Sequence, residues 1–127
     1  MDQTGLVFPR GNDVVVTARF PEINDGSGMV SEFYTKPSKA TDDADPAVQV
    51  YESDIVTDPD YPGQTMAQFD IPAGDTGVTG AFWWRVDCVD VLNKRRTANC
   101  GPLLVEAVLW RPEGKRLPRT LSQPSGL

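Results

Sequence analysis

The feature that most constrains the fold is one run near the C-terminal end, GAFWWRVDCVDVLNKRRTANCGPLLVEAV, which spans residues 80–108. Its first half alternates between two sets of side chains, with Phe82, Trp84, Val86 and Cys88 on one side and Trp83, Arg85, Asp87 and Val89 on the other. A period of two is typical of a β-strand with one buried face. Polar residues 93–95 then predict a turn, and residues 96–108 predict a second strand. The run therefore predicts a β-hairpin whose role is that of a scaffold.

The same hairpin raises the question of how the two cysteines are related. If the turn centres on Lys94, counting along both strands places Cys88 opposite Cys100. The same count places Trp84 opposite Leu104. A disulfide requires Cα atoms about 4.4–6.8 Å apart, which this pairing permits without requiring a bond. Two thiols are the more usual state in a reducing cytoplasm, so we favour a thiol pair and keep the disulfide as the alternative.

Five further strands are predicted, in residues 6–8, 14–20, 29–36, 48–51 and 65–71. Loops rich in Gly, Pro and Asp separate them, and the chain holds 11 Gly and 11 Pro in 127 residues. We find no convincing helical apolar stripe. Residues 1–110 are therefore predicted to form one all-β domain, an immunoglobulin-like antiparallel β-sandwich of about seven or eight strands.

Charge divides the chain into a body and an arm. The formal net charge is −6. Residues 111–127, which we call the arm, carry four basic residues and one acidic residue, a net charge of +3, so the first 110 residues carry −9. Prolines recur through the arm and prevent ladder pairing at their positions, which predicts an extended segment. The arm is interpreted either as a solvated terminus or as a strap that contacts acidic neighbours, including other copies of the chain.

The composition excludes several classes of function. The absence of histidine removes the commonest general base and metal ligand, and no phosphate-binding glycine motif is present. We therefore predict no enzymatic activity, no cofactor and no metal. The acidic charge argues against nucleic acid as a partner. No apolar run is long enough for a membrane span, and the N-terminal residues lack the pattern of a secretory signal, so we expect a soluble protein made in the cytoplasm.

Two groups of side chains remain as candidate binding residues. The aspartates of residues 42–60 are interpreted as solvated loop residues, with a calcium site as the alternative. Trp84 is expected in the core, whereas Trp83 faces outward beside Arg85 and can stack on it. An aromatic residue exposed on a sheet suits a protein contact or a sugar. The predicted interface residues are Trp83, Trp110, Arg111, Lys115, Arg116 and Arg119.

Three segments together carry a family resemblance: RGNDVVVTARF, SEFYTKPSKATDDADPAVQVYESDI and the run at residues 80–108. Their order resembles the small β-sandwich domains of tailed-bacteriophage virions. The nearest likeness is to the LtfC-like domains of actinobacterial phages, and a looser one is to the N-terminal domain of baseplate upper proteins. The resemblance spans about residues 5–108 and is sharpest at residues 80–87 and 95–98. The arm lies outside it.

The resemblance implies a structural protein of the virion, without catalytic residues. The preferred expectation is a capsid accessory or decoration protein that docks on the major capsid protein, with contacts between copies also expected. The alternative within the virion is a minor tail or baseplate adaptor that contacts tail proteins. An alternative of a different class is a carbohydrate-binding module that contacts the host surface.

Overall fold

Two β-sheets packed face to face make up the chain in the computed structural model, which describes residues 5–107. The strands are β1 (Leu6–Pro9), β2 (Val14–Phe20), β3 (Val30–Lys36), β4 (Gln49–Asp54), β5 (Val56–Thr57), β6 (Thr65–Ile71), β7 (Gly80–Val89) and β8 (Arg95–Glu106). A turn of 3-10 helix, Ala73–Thr76, lies between β6 and β7. The prediction of an all-β sandwich is confirmed.

The order of the strands gives the sandwich its immunoglobulin-like character. One sheet has the order β1-β8-β7-β3-β4, and the other has the order β2-β6-β5. Strands β8, β7, β3 and β4 correspond to the immunoglobulin strands G, F, C and C′, in that order. Strands β2, β6 and β5 correspond to strands B, E and D. The sandwich is not antiparallel throughout, because β1 pairs with β8 in parallel. After β1, the chain passes through a short turn to β2 in the other sheet. Because no hairpin joins β1 to β8, the two strands are free to lie parallel.

The core joins the two sheets through a group of aromatic rings. Phe33 on β3 is fully buried. Its ring centroid lies 5.6 Å from that of Phe69 on β6 and 6.0 Å from that of Trp84 on β7. Phe8 and Tyr51 contact the same ring at 6.5 Å and 6.1 Å. Trp84 is only 4% exposed, so its predicted place in the core is confirmed.

Most strands lie where the alternation predicts them, and two have the predicted bounds, residues 14–20 and 65–71. The main difference is the short strand β5, which falls in a segment expected to be an acidic loop. Here the chain passes from one sheet to the other at Ile55, whose side chain is buried and whose N–H donates to the Met29 carbonyl. Strand β5 has only two residues, too few to show an alternation of buried and exposed side chains, so the sequence does not predict it.

The predicted register of the β7–β8 hairpin is wrong. Val89 pairs with Arg95, so the turn centres two residues earlier than Lys94. The carboxylate of Asp90 closes this turn by accepting the N–H groups of Leu92 and Lys94, each at 2.9 Å. A bulge between Val86 and Asp87 then shifts the pairing again. The hydrogen bonds of Asp90 within the turn therefore set the register of β7 against β8 next to the turn.

The corrected register separates the two cysteines. Cys88 pairs with Arg96 and faces the core, whereas Cys100 pairs with Arg85 on the outer face of the sheet. Trp84 accordingly pairs with Gly101 and not with Leu104. The two cysteines thus point to opposite faces and are not joined by a disulfide. Burial raises the pKa of the Cys88 thiol above its ordinary value.

Candidate interaction surfaces

The outer face of the five-stranded sheet carries a connected set of charged and aromatic side chains. Alternation along the strands places all of them there except the loop residue Asp43, because Phe33 and Trp84 point inward and their chain neighbours point outward. We call this set the ion-pair network. Its members are Glu32, Tyr34, Lys36, Asp43, Arg85, Asp87, Arg95 and Thr97.

Arg85 lies at the centre of the network and contacts two carboxylates. Its terminal nitrogens donate to the two oxygens of Asp43 at 3.1 and 2.9 Å, and its Nε donates to Asp87 at 2.9 Å. Lys36 donates to the same Asp43 at 2.8 Å. The hydrogen bonds from Arg85 and then Lys36 lower the pKa of Asp43 to about 2. Burial opposes the charge of Arg85, but the two carboxylates outweigh it and raise the guanidinium pKa.

A second part of the network surrounds Tyr34. The guanidinium carbon of Arg85 lies 4.1 Å from the centre of the Tyr34 ring. The Tyr34 hydroxyl donates to Glu32 at 2.7 Å, and Arg95 donates to Glu32 and to the Tyr34 oxygen. Burial and the neighbouring Glu32 raise the pKa of Tyr34 to about 12. Burial disfavours ionised Glu32, but the donors Tyr34 and Arg95 prevail and lower its pKa.

Asp87 is the buried carboxylate of the network, with 1% of its surface exposed. Besides Arg85, it accepts a hydrogen bond from the Thr97 hydroxyl at 3.0 Å, and Arg95 lies 3.6 Å from its second oxygen. A buried carboxylate is tolerated only when it is paired and hydrogen-bonded in this way. The network therefore holds one outer face of the sandwich in a fixed shape.

Only part of this network could have been found in the sequence. The alternation within residues 32–36 and 83–87 places polar side chains outward on β3 and β7. No pattern indicates that Asp43, which lies 42 positions before Arg85, bridges Arg85 and Lys36. The loop of residues 37–48 brings it there by folding back toward the sheet.

Trp83 lies on the same face, as predicted, but its cationic neighbour differs. The ammonium of Lys39 lies 5.3 Å from the Trp83 ring centre, whereas Arg85 stacks on Tyr34. The reason is the register, which pairs Tyr34 directly with Arg85. Directly opposite residues are closer than residues two apart along one strand. Stacking of Trp83 on Arg85 is therefore a wrong prediction.

The acidic loops are also more structured than expected. Asp58 is 1% exposed and accepts a hydrogen bond from Arg19 Nε at 3.0 Å, while Asp60 pairs with the same Arg19 at 3.3 Å. Burial disfavours the charged form of Asp58, but hydrogen bonds from the Asp60 N–H and from Arg19 outweigh this effect and lower the pKa of Asp58. The solvated-loop interpretation is thus wrong for Asp58, whereas Asp43 is exposed and pairs with Lys36 and Arg85. Within residues 5–107, no group of three or more acidic or cysteine side chains is placed to hold a metal ion.

A groove opens on the side of the sandwich between β2 and β8, and we call it the lateral groove. Its volume is about 740 Å³. Apolar side chains from both sheets form much of its surface: Leu6, Val15, Phe20, Trp84, Val86 and Ala98. No sequence pattern predicts this groove, because it depends on how strands that are distant in sequence lie beside one another.

A small apolar tip lies at the β7–β8 turn. Val91 and Leu92 are 68% and 72% exposed. Val91 packs against the loop before β3, because a Cβ atom added to Gly28 would lie only 2.7 Å from Cγ1 of Val91. Of the other predicted interface residues, Trp110, Arg111, Lys115, Arg116 and Arg119 lie outside the described residues.

The strand order places the described chain in the class of immunoglobulin-like β-sandwich domains. No protein-family model matches the sequence, and no curated protein matches it. No helix within residues 5–107 is long and apolar enough to cross a lipid bilayer. A fold of this class serves many functions, so the function must be argued from its surfaces.

Proposed function

We propose that this chain is a structural protein of a bacteriophage virion, a non-catalytic domain that docks as an accessory or decoration protein on the major capsid protein. The observation that carries the proposal is the ion-pair network on the outer face of the five-stranded sheet. Its carboxylates are neutralised by neighbouring cations, so the face is held rigid before a partner arrives. A rigid surface loses little conformational entropy on binding.

The charge of the chain supports docking by the arm. The arm carries +3 and the rest of the chain carries −9. Arginine pairs with carboxylates through two parallel hydrogen bonds, which suits Arg111, Arg116 and Arg119 to an acidic neighbour. Contacts repeated around a shell add stability through multivalency. The resemblance to virion sandwich domains supports the same function.

The contact between Lys39 and Trp83 favours a protein partner over a sugar. A sugar would stack on an open aromatic face, whereas an ammonium group already lies over this ring. A minor tail or baseplate adaptor uses the same kind of surface. The experiment must therefore distinguish binding to the capsid from binding to the tail.

The test is co-sedimentation of the purified protein with isolated phage heads and, separately, with isolated tails. Full-length protein is compared with a 1–110 truncation and with a variant in which Arg111, Arg116 and Arg119 are changed to Gln. A matched control changes Lys94 and Arg96, two exposed basic residues of the body, to Gln.

We expect full-length protein and the control to sediment with heads, and the two arm variants to stay in solution while keeping a folded circular dichroism spectrum. Sedimentation with tails alone would replace decoration by the adaptor function. Sedimentation with neither particle would overturn the virion proposal, and quenching of tryptophan fluorescence by cell-wall glycans would then identify a carbohydrate-binding module.

A further inference from the structure

Within residues 5–107, strand β2 has a hydrogen-bonded neighbour on only one side. Its sheet has the order β2-β6-β5, so the edge of β2 away from β6 has no strand beside it within the described residues. Immunoglobulin-like domains commonly place a further strand at this position, beside strand B. An open edge presents N–H and C=O groups that can pair with an added strand.

The second wall of the lateral groove is formed by β8. Strand β8 spans Arg95–Glu106, and β1 pairs with its last four residues, from Leu103 onward. The groove between these two edges is lined by Trp84 and Val86 from β7. Small side chains line it as well, Ala18 on β2 and Ala98 on β8. Side chains of an extended strand would therefore reach the core from this groove.

We propose that the lateral groove receives the C-terminal segment, residues 108–127, of a second copy of this chain, and that this segment adds to β2 as an extended strand. Strand addition to an open sheet edge is a general mode of peptide recognition, in which main-chain hydrogen bonds provide affinity and alternate side chains provide specificity. The inference rests on the proposed role of the arm as a docking segment and adds a second copy of the chain as one neighbour that it contacts.

The length of this segment suits the edge of β2. At about 3.3 Å per residue, the seven residues of β2 extend over about 23 Å. Residues 108–127 reach up to about 66 Å and suffice to cover the whole edge.

Direction selects a second copy. The last strand of the described chain ends beside the turn that precedes β2, since the Arg10 N–H donates to the Glu106 carbonyl at 2.8 Å. A segment continuing from the same chain would have to reverse there and run parallel to β2. Every pairing in the three-stranded sheet is antiparallel. A segment from another copy can approach in that orientation.

Composition fits the groove as well. Prolines at 112, 118 and 124 leave the stretches 113–117 and 119–123, each of which contains one leucine. A strand added at an edge needs hydrogen bonds on one side only, so flanking prolines are tolerated. Carboxylates stand at both ends of β2, with Asp13 before it and Glu22 after it. They complement the basic residues of the arm.

The first measurement is photo-crosslinking of the full-length protein. A benzophenone amino acid replaces Thr17, an exposed residue of β2, and a control protein carries it at Glu52 on β4, the edge strand of the other sheet. Each is mixed with isotope-labelled wild-type chain and analysed by mass spectrometry. We expect crosslinks from position 17 to residues 108–127 of the labelled chain, and none to that segment from position 52.

The second measurement is sedimentation equilibrium of full-length variants. Ala18→Leu fills the groove from within, and Ala81→Leu adds the same side chain at an exposed position of β7. We expect Ala18→Leu to weaken self-association at least tenfold and Ala81→Leu to leave it unchanged. Crosslinks confined to one chain, crosslinks to the body of another copy, or a monomeric wild type would each overturn the proposal.

The crosslinks are read in wild-type background and stay informative if Ala18→Leu does not fold. Both measurements use purified protein without virions. Loss of co-sedimentation with phage particles would therefore contradict the proposed function alone, and loss of self-association would contradict this inference alone.

Discussion

At the scale of single residues, Arg85 organises the outer sheet face. One guanidinium bridges Asp43, which is half-exposed, and Asp87, which is buried, and it also stacks on Tyr34. The planar fork of arginine makes these contacts simultaneously, which a lysine ammonium cannot reproduce. Removing it would leave a buried carboxylate with fewer donors, so the effect should exceed that of a surface charge.

We expect Arg85→Leu to lower the free energy of unfolding by about 2–3 kcal/mol, because Asp87 loses its principal cation while Thr97 still donates to it. Arg85→Lys should recover only part of this loss. Urea denaturation followed by circular dichroism measures both variants. The control Arg96→Gln removes an exposed pair with Glu22 at 3.7 Å and should change stability by less than about 0.5 kcal/mol. Equal effects of Arg85→Leu and Arg96→Gln would contradict a central role for Arg85.

Asp43 should make stability depend on pH in the acid range. Its pKa in the folded protein is about 2, below the ordinary value of 3.8. A carboxyl with a lowered pKa contributes stability above its unfolded pKa, and that contribution is lost as the pH falls from about 4 to about 2. Since solvent screens the exposed half of the side chain, we expect about 1 kcal/mol.

The Asp43→Asn variant should therefore be less stable than wild type by about 1 kcal/mol at pH 6 and should lose less stability between pH 4 and pH 2. Urea titrations at pH 6, 4, 3 and 2 give the comparison. The exposed Asp54, mutated to Asn, is the matched control and should follow the wild-type curve. Parallel curves for Asp43→Asn and wild type would contradict the assignment.

At the scale of elements, the passage from β4 to β5 is held by the loop before β3. A Cβ atom on Gly26 would lie 2.4 Å from Ile55 Cγ2 and 2.9 Å from the Ile55 carbonyl oxygen. The backbone of Ile55 cannot move away easily, because its N–H donates to Met29. Glycine at this position thus allows two chain segments to meet where the chain changes sheets.

We expect Gly26→Ala to destabilise the protein by about 2 kcal/mol through this close contact. Gly74→Ala is the matched control, since no atom lies within 4 Å of its added Cβ, and it should change stability by less than about 0.5 kcal/mol. Thermal melting followed by circular dichroism compares the two variants. A melting temperature for Gly26→Ala equal to that of Gly74→Ala would show that the contact relaxes without cost.

At the scale of the whole molecule, the two sheets are joined by the aromatic cluster around Phe33. Its ring contacts Phe69 of the three-stranded sheet and three rings of its own sheet, so the cluster links both layers. A cavity at this position would be surrounded by side chains from both sheets and could not collapse readily. Stability of the sandwich should depend on it more than on any single surface contact.

Phe33→Ala should cost about 3–5 kcal/mol, and Phe33→Leu, which keeps most of the volume, should cost about 1–2 kcal/mol. Both are measured by urea denaturation against Val78→Ala, which truncates a side chain that is 72% exposed. The control should remain within about 0.5 kcal/mol of wild type. A cost for Phe33→Ala below that of Phe33→Leu would rule out the proposed packing role.

Local sequence pattern is sufficient to predict where most strands lie and which side chains face the core. Both depend on local alternation, which is why residues 14–20 and 65–71 were predicted with their observed bounds and Trp84 was placed correctly. Local polarity is a property of neighbouring residues, so it needs no knowledge of the rest of the chain.

The pairing between distant segments follows from contacts that form only in the folded chain. The turn closed by Asp90 and the bulge after Val86 set the β7–β8 register and separated the cysteines. The path of residues 37–48 brought Asp43 to Arg85, and the strand order left β2 at a sheet edge, beside the lateral groove, within residues 5–107. These features arise from loop closure and from competition among hydrogen-bond partners, which a one-dimensional pattern does not encode.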